Sequence, residues 1–254
     1  APTPVSALLH AVAVVKAGVF CMLKVLVYIF GAEVLLQSGA NMLLIVLASV
    51  TIVVASLIAL QQDNLKRRLA YSTVSQLSYI TLAGAILTPI STTAAMLHMT
   101  AHAFGKITLF FGAGAIYTAA HKTRVSELNG IGKRMPWTMG AFAIATLSMI
   151  GVPPAGGFIS KWYLFQGIWT SGYWLLLLVL LLSTLLNCAY FIPIVHAAFF
   201  RSETYTPEHT PGQVHGEAPR IMVVALCITA ILSVALFFFP DPVLFLAQQL
   251  QGGG

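Results

Sequence analysis

Lys16, His98, His102, Lys106 and Lys161 each stand inside a run of apolar residues. Lys16 interrupts Ala-Val-Ala-Val-Val-Lys-Ala-Gly-Val-Phe, and the other three of the first four lie in Leu-His-Met-Thr-Ala-His-Ala-Phe-Gly-Lys-Ile-Thr-Leu. A lysine at the centre of a bilayer costs about 2.5–3.5 kcal/mol on insertion scales, so such residues face protein or a water-filled cavity. His98, His102 and Lys106 are spaced four apart. On a helix that spacing aligns them on one face, with rises of about 6 Å that one or two waters bridge. Imidazole both accepts and donates a proton near neutral pH, and an amine held away from water releases its proton more readily than one in solution. The chemistry this face can carry is a proton relay. A single intramembrane histidine is as often a helix–helix hydrogen-bonding residue, and a lysine near a helix end snorkels to the surface, which is the reading for Lys24. Three such residues on one face favour the relay. His10, nearer the start of its run, and Lys66, a cytoplasmic anchor able to feed protons inward, extend the candidate set.

Lys161 follows Gly151-Val-Pro-Pro-Ala-Gly-Gly157. Pro153 and Pro154 remove two backbone donors, and Gly151, Gly156 and Gly157 loosen the turn. Unwound backbone at membrane depth survives only inside protein or beside water, and discontinuous helices build ion sites in transporters. A plain proline kink is the simpler alternative, and Lys161 just past the break favours a site. The segment Asp63 to Tyr79 is unusually polar for a span. Its Ser72, Thr73, Ser75 and Gln76 either bond to neighbouring helices or line a wet channel, although packing alone accounts for small hydroxyls. Asp63 and Glu33 read as lying in or beside loops, which leaves no clear carboxylate mid-membrane. The buried lysines are then neutral part of the time, hydrated, or paired with an acid from elsewhere.

The elements that must hold these residues are membrane helices. The chain is 58% hydrophobic and 8% charged, with a mean hydropathy of +0.89. A soluble domain carries about 25% charged residues. The apolar runs approach or exceed the roughly 20 residues that span a bilayer, and backbone in lipid must bond to itself. We expect an all-α polytopic membrane protein with about seven spans, at roughly 5–30, 40–62, 67–87, 91–119, 136–169, 173–200 and 219–239. Gly31 with Gly39, Asp63-Asn64, Thr88-Pro89, His121 to Arg134, Thr170-Ser171-Gly172 and Arg201 to Pro219 mark the breaks. Seven spans send Lys66, Arg67, Arg68, Lys122, Arg124, Lys133, Arg134, Arg201 and Arg220 to one side and no Lys or Arg to the connecting loops of the other. The positive-inside rule puts the basic loops in the cytoplasm of an inner (plasma) membrane protein. The net charge of +6 then reflects topology, and no nucleic-acid partner is expected. Cys21, Cys188 and Cys227 lie in apolar runs without metal spacing and read as small membrane-facing residues. The opening Ala-Pro-Thr-Pro carries neither an initiator Met nor a signal peptide, so further helices are expected to precede it.

Taken together, the segments resemble the antiporter-like subunits of respiratory complex I and of Mrp-type cation/proton antiporters. The resemblance is carried from residue 1 to about 200 by Ala-Pro-Thr-Pro-Val-Ser-Ala-Leu-Leu-His10-Ala, by Leu65-Lys66-Arg67 with Leu69-Ala-Tyr-Ser-Thr-Val-Ser-Gln76, by the His98/His102/Lys106 face, and by Gly151-Val-Pro-Pro with Gly157-Phe-Ile-Ser-Lys161. It implies inverted five-helix repeats, each with a broken helix and a buried lysine. Residues 1–39 would hold the final helix of a preceding repeat, 40–200 one complete translocation repeat, and 201–254 a cytoplasmic loop with a C-terminal helix. By motif, Lys161 takes the broken-helix lysine position facing the exit, Lys16 the central connecting position, and His98, His102 and Lys106 the connecting chain; Lys66 matches a lysine on the cytoplasmic side. The family's essential glutamate and first broken-helix lysine fall in helices this sequence does not contain. Lys161 together with Lys16, and the loop Lys122-Thr-Arg-Val-Ser-Glu-Leu-Asn-Gly130, look most like the D-type member of the Mrp antiporters.

Three functions follow. The first is a proton-translocating subunit of a multisubunit Na⁺/H⁺ antiporter. The second is a proton-pumping membrane subunit of an NADH-quinone oxidoreductase or membrane-bound hydrogenase. The third is a non-transporting helical scaffold. The expected partners are other membrane subunits, the lipid bilayer, protons and Na⁺. Without a dinucleotide fingerprint, Cys₄ spacing or haem site, no cofactor, metal or catalytic residue is expected, and the chain reads as a transporter subunit rather than an enzyme.

Overall fold

The computed structural model describes residues 13–202 and 216–251. Within them the chain forms helices throughout, and the ends of those helices are set by local chemistry. The first, α1, runs Val14–Ser38, with a π-helical stretch at Val25–Phe30 and a kink at Gly31, whose φ is +72°. The expected loop from Gly31 to Gly39 is therefore mostly helix. Only Gly39, left-handed at φ +69°, reverses the chain. Glu33, expected in or beside a loop, stands on this final helical stretch, exposed and bonded to Gln37. After Gly39 comes α2, Ala40–Gln61. Then α3, Leu65–Ala85, starts where the Asn64 side chain accepts from the Arg67 amide at 3.1 Å, a regular N-cap. The longest helix, α4, spans Pro89–Ala120 and starts in a capping box between Thr88 and Ser91. It ends at His121, left-handed at φ 54°.

The broken helix is real. Helix α5, Pro136–Ile150, stops at Gly151, and α6 resumes at Gly156 and runs to Ser171. By the usual rise the two pieces measure about 22 and 24 Å, so the interruption falls near mid-depth. Helix α7, Leu175–Phe200, contains Pro193, and α8 covers Arg220–Phe238. A further helix, α9 at Asp241–Gln251, was not expected; it is short, follows Phe239-Pro240 and packs on α4. Five of these helices are long and apolar enough to cross a membrane: α1, α2, α4, α7 and α8. Adding polar α3 and the broken pair α5–α6 gives seven passes.

Helix α4 is the axis of the bundle, packed on α3, α5, α6, α8 and α9. The loops alternate between ends. At one end the Leu65 amide bonds to Thr123 O at 2.9 Å, Val125 to Asp63 O at 2.7 Å, and Gly130 to Ala197 O at 3.0 Å. The basic residues around Lys66, Lys122, Arg124, Lys133 and Arg134 gather there. At the other end Asn41 donates to the Tyr173 hydroxyl at 3.3 Å.

Two apolar cores occupy the two ends. One is built from Leu65, Leu69, Phe110, Ile116, Phe142 and Phe191, the other from Ile45, Ile52, Ile80, Leu164, Ile168 and Leu176. Between them runs a layer of buried polar side chains.

Candidate functional site

That middle layer holds the candidate residues. Lys106 and His102 are fully enclosed at 0%, while Lys16, His98 and Lys161 are 8%, 5% and 8% exposed. The three residues on α4 do share a face, as their spacing predicts. Their side chains do not bond to one another along it; each reaches a different helix.

Lys16 crosses from α1 to bond the Nδ1 of His102. His98 Nδ1 meets the Ser160 hydroxyl of α6 at 3.0 Å. Lys106 donates to Ser72 of α3 and to Leu69 O at 3.0 Å. The His98 and His102 rings stand 6.2 Å apart, centroid to centroid. The Nε2 atoms of both histidines are buried, and no described residue bonds them. Buried polar atoms in proteins are normally satisfied, so these two nitrogens are where water would enter the chain of groups.

Lys161 lies in the first turns of α6 and folds back over the break. Its ammonium donates to Ile150 O at 2.6 Å and to the Thr184 hydroxyl of α7 at 3.2 Å. Ile150 is the last residue of α5. Its carbonyl belongs to a helix C-terminus, the end whose partial negative charge favours a cation. Two glycines make this approach possible. At Gly151, with φ +87°, a Cβ would meet Lys161 Cδ at 2.6 Å; at Gly157 one would meet Ser148 O at 1.7 Å. Gly156 and Gly157 open α6, buried, and Pro153 and Pro154 form the exposed lip of the turn.

Lys66 is placed elsewhere. Half-buried at the basic end, its ammonium lies 5.4 Å from the Tyr117 ring. Tyr117 is eleven residues beyond Lys106 on α4, a rise of about 16 Å. His10 lies outside the described residues, as do the first twelve positions and most of the loop Arg201 to Pro219. Lys24 is exposed beside its own Phe20 ring, level with Thr92 and Met96 of α4. Among the polar residues of α3, Ser72 holds Lys106, Ser75 pairs with Ser56 at 2.8 Å, and Gln76 donates to Met149 O at 3.4 Å; Thr73 bonds its own helix at Leu69 O. Ser160 and Thr184, the hydroxyls that hold His98 and Lys161, were not singled out in the sequence. Among the described residues, no group of three or more His, Cys, Asp or Glu is placed to hold a metal ion.

Comparison with known proteins agrees with this architecture. Residues 1–187 match the family described as NADH:quinone oxidoreductase/Mrp antiporter, TM. The chain is 36% identical over 253 residues to NADH-quinone oxidoreductase subunit N of Desulforudis audaxviator, covering 96% of this chain and 50% of that protein. It is 33% identical over 237 residues to NADH-quinone oxidoreductase subunit L of Mycobacterium tuberculosis, covering 92% and 36%. The chain thus spans half or less of the length of these relatives. The fold superposes on a chain of the Mrp complex from Dietzia sp. with a TM-score of 0.84, at 21% identity, covering 98% of this chain and 53% of that one. A chain of the archaeal membrane-bound sulfane sulfur reductase gives 0.84 at 28% identity, covering 98% and 48%. The chain belongs to the NADH:quinone oxidoreductase/Mrp antiporter family of transmembrane proteins.

Proposed function

We propose that this chain carries protons across a membrane as part of an antiporter-like subunit of a multisubunit complex. The observation that carries the reading is the mid-depth layer, where Lys16, His98, His102, Lys106 and Lys161 are enclosed between two apolar cores, with Lys16 bonded to His102, and with Lys106, His98 and Lys161 held by the hydroxyls of Ser72, Ser160 and Thr184. Each group there can take up and release a proton, and enclosure prevents leakage to bulk water. Lys161 is the terminal group toward the exit, and Lys66 with His10 are candidates on the entry side. Residues 40–200 act as the translocation repeat, with 1–39 contributing Lys16 from the final helix of a preceding repeat and 201–254 supplying a cytoplasmic loop and a C-terminal transmembrane helix. The basic loops face the cytoplasm of an inner membrane.

The driving reaction has two readings. A Na⁺/H⁺ antiporter subunit is favoured by the presence of lysine at both 16 and 161 and by the fold shared with a chain of an Mrp complex. A redox-driven pump is favoured by the relatives of highest identity reported above, both named as NADH-quinone oxidoreductase subunits. In either case this chain moves protons and its partners supply the energy. The test is proton flux into vesicles containing the assembled complex. Replacing Lys161 with Ala should stop it while assembly is retained; normal flux in that variant would leave only a scaffold. Sodium-dependent flux without an electron donor would favour the antiporter, and donor-dependent flux the pump.

A further inference from the structure

Helix α7 is mostly Leu, Val, Ile, Phe and Ala, yet Ser183, Asn187 and Tyr190 recur at the spacing of one helical face, and all three are 0% exposed. Burying three polar side chains on one apolar helix is costly unless they are bonded. Only part of that bonding is present. Tyr190 donates its hydroxyl to the side-chain oxygen Oδ1 of Asn187. Asn187 Nδ2 and Ser183 Oγ have no hydrogen-bond partner among the described residues, and neither have Gln76 Oε1 and the Tyr79 hydroxyl on α3. Their side chains face one another in sequence between α3 and α7, with Tyr190 linking Gln76 to Asn187. The Tyr79 hydroxyl is turned toward Ser183, Thr184 and Asn187 without reaching hydrogen-bond geometry, and Tyr190 toward Gln76 and Ser56.

The stripe ends at a lysine each way. Toward one end, Thr184 holds Lys161, whose ammonium lies 5.4 Å from the Tyr79 ring. Toward the other, Ser72 holds Lys106, and Gln76 stands one turn along α3 from Ser72. Lys106 also lies 5.6 Å from the ring of Phe191, the neighbour of Tyr190.

We propose that Gln76, Tyr79, Ser183, Asn187 and Tyr190 form a water-binding site between α3 and α7 that carries protons from Lys106 to Lys161 without using His98 or His102. The inference rests on the proton-transport reading above and adds a second branch to it. Buried water sites are polar and supply two to four partners, which the four orphaned atoms provide. Gln76 and Asn187 fix the waters, and the hydroxyls accept from one side and donate to the other. The ammonium of Lys106 gives one proton to the first water. Each water passes one on, and the neutral amine of Lys161 receives the last. One N–H bond is broken and one made, with no net change in the waters.

The test uses the assembled complex in vesicles. His98→Gln with His102→Gln should leave measurable proton flux, and adding Asn187→Leu should lower that remainder by about 100-fold, the scale of a lost proton-transfer group. Flux in the histidine pair that does not change on adding Asn187→Leu would overturn the bypass. A wild-type electron-microscopy map that resolves water guards against misfolding: density between Gln76, Tyr79 and Asn187 is expected, and a dry, collapsed contact would also overturn it. Lys161→Ala separates the two proposals. If that variant transports normally, the proton-transport reading itself fails; if it stops while Asn187→Leu changes nothing, only the bypass fails.

Discussion

Lys106 and Lys161 are held by the same pair of groups, a backbone carbonyl and a hydroxyl, but in opposite helical settings. The carbonyl that receives Lys106 is Leu69 O, inside the unbroken α3. That oxygen also accepts from the hydroxyls of Ser72 and Thr73 at 2.9 Å each. Lys106 therefore competes for a shared acceptor. Lys161 takes Ile150 O at the open end of α5, where the helix has no following turn to use it and the dipole favours positive charge by about 0.3–1 kcal/mol, more when partly buried. One lysine shares a carbonyl inside a continuous helix with two hydroxyls, the other has to itself a carbonyl at the end of a severed helix. Breaking a helix at mid-depth thus does for Lys161 what the hydroxyls of α3 do for Lys106.

Five substitutions would break or sharpen this contrast. Gly157→Ala has the largest expected effect. Its Cβ would fall 1.7 Å from Ser148 O, so the two ends of the broken helix must part, at a cost of about 3 kcal/mol or more. A lower thermal midpoint of the purified complex, together with lost flux, is the expected result. Lys161→Ala should cut proton flux by about 100-fold with the midpoint largely kept, which places the loss in transfer rather than folding. Ser72→Ala should slow flux by about tenfold, the worth of one hydrogen bond to a charged group, whereas Thr184→Val should do less, because the end of α5 still holds Lys161. Equal losses in those two variants would erase the distinction between the lysines. Glu217→Gln is the mildest. Its carboxylate caps α5 through the Trp137 amide at 2.7 Å and the Thr138 hydroxyl at 2.7 Å. Losing the charge should cost about 1 kcal/mol of stability, seen as a small fall in midpoint, with flux within about twofold.

The sequence made the α4 face and the broken helix legible because both are local. His98, His102 and Lys106 are set by a four-residue spacing, and Gly151 to Gly157 by residues that cannot continue a helix. Partners far apart in sequence were not legible. Lys16 and His102 are 86 residues apart, Lys106 and Ser72 are 34, and His98 and Ser160 are 62. No periodicity reports such pairings. The relay was accordingly expected to run along α4, whereas its side chains branch outward to α1, α3 and α6. Gly31 misled for a different reason: a glycine at positive φ can kink a helix without ending it, so the chain turned back eight residues later than the loop expected there. Helix α9 was missed because eleven residues after Pro240 are too few for a span.

The carboxylate cap on α5 also bears on the order in which the chain is made. Glu217 is 80 residues beyond Trp137. At synthesis rates of about 5–20 residues per second, the start of α5 waits roughly 4–16 seconds for its cap, while α6 and α7 emerge. During that interval Lys161 is already available to the far end of α5, while its start has no carboxylate cap. The start of α5 thus gains its carboxylate cap only after the helices that pack beside it have been made, so the broken helix is finished at its far end before it is finished at its near one.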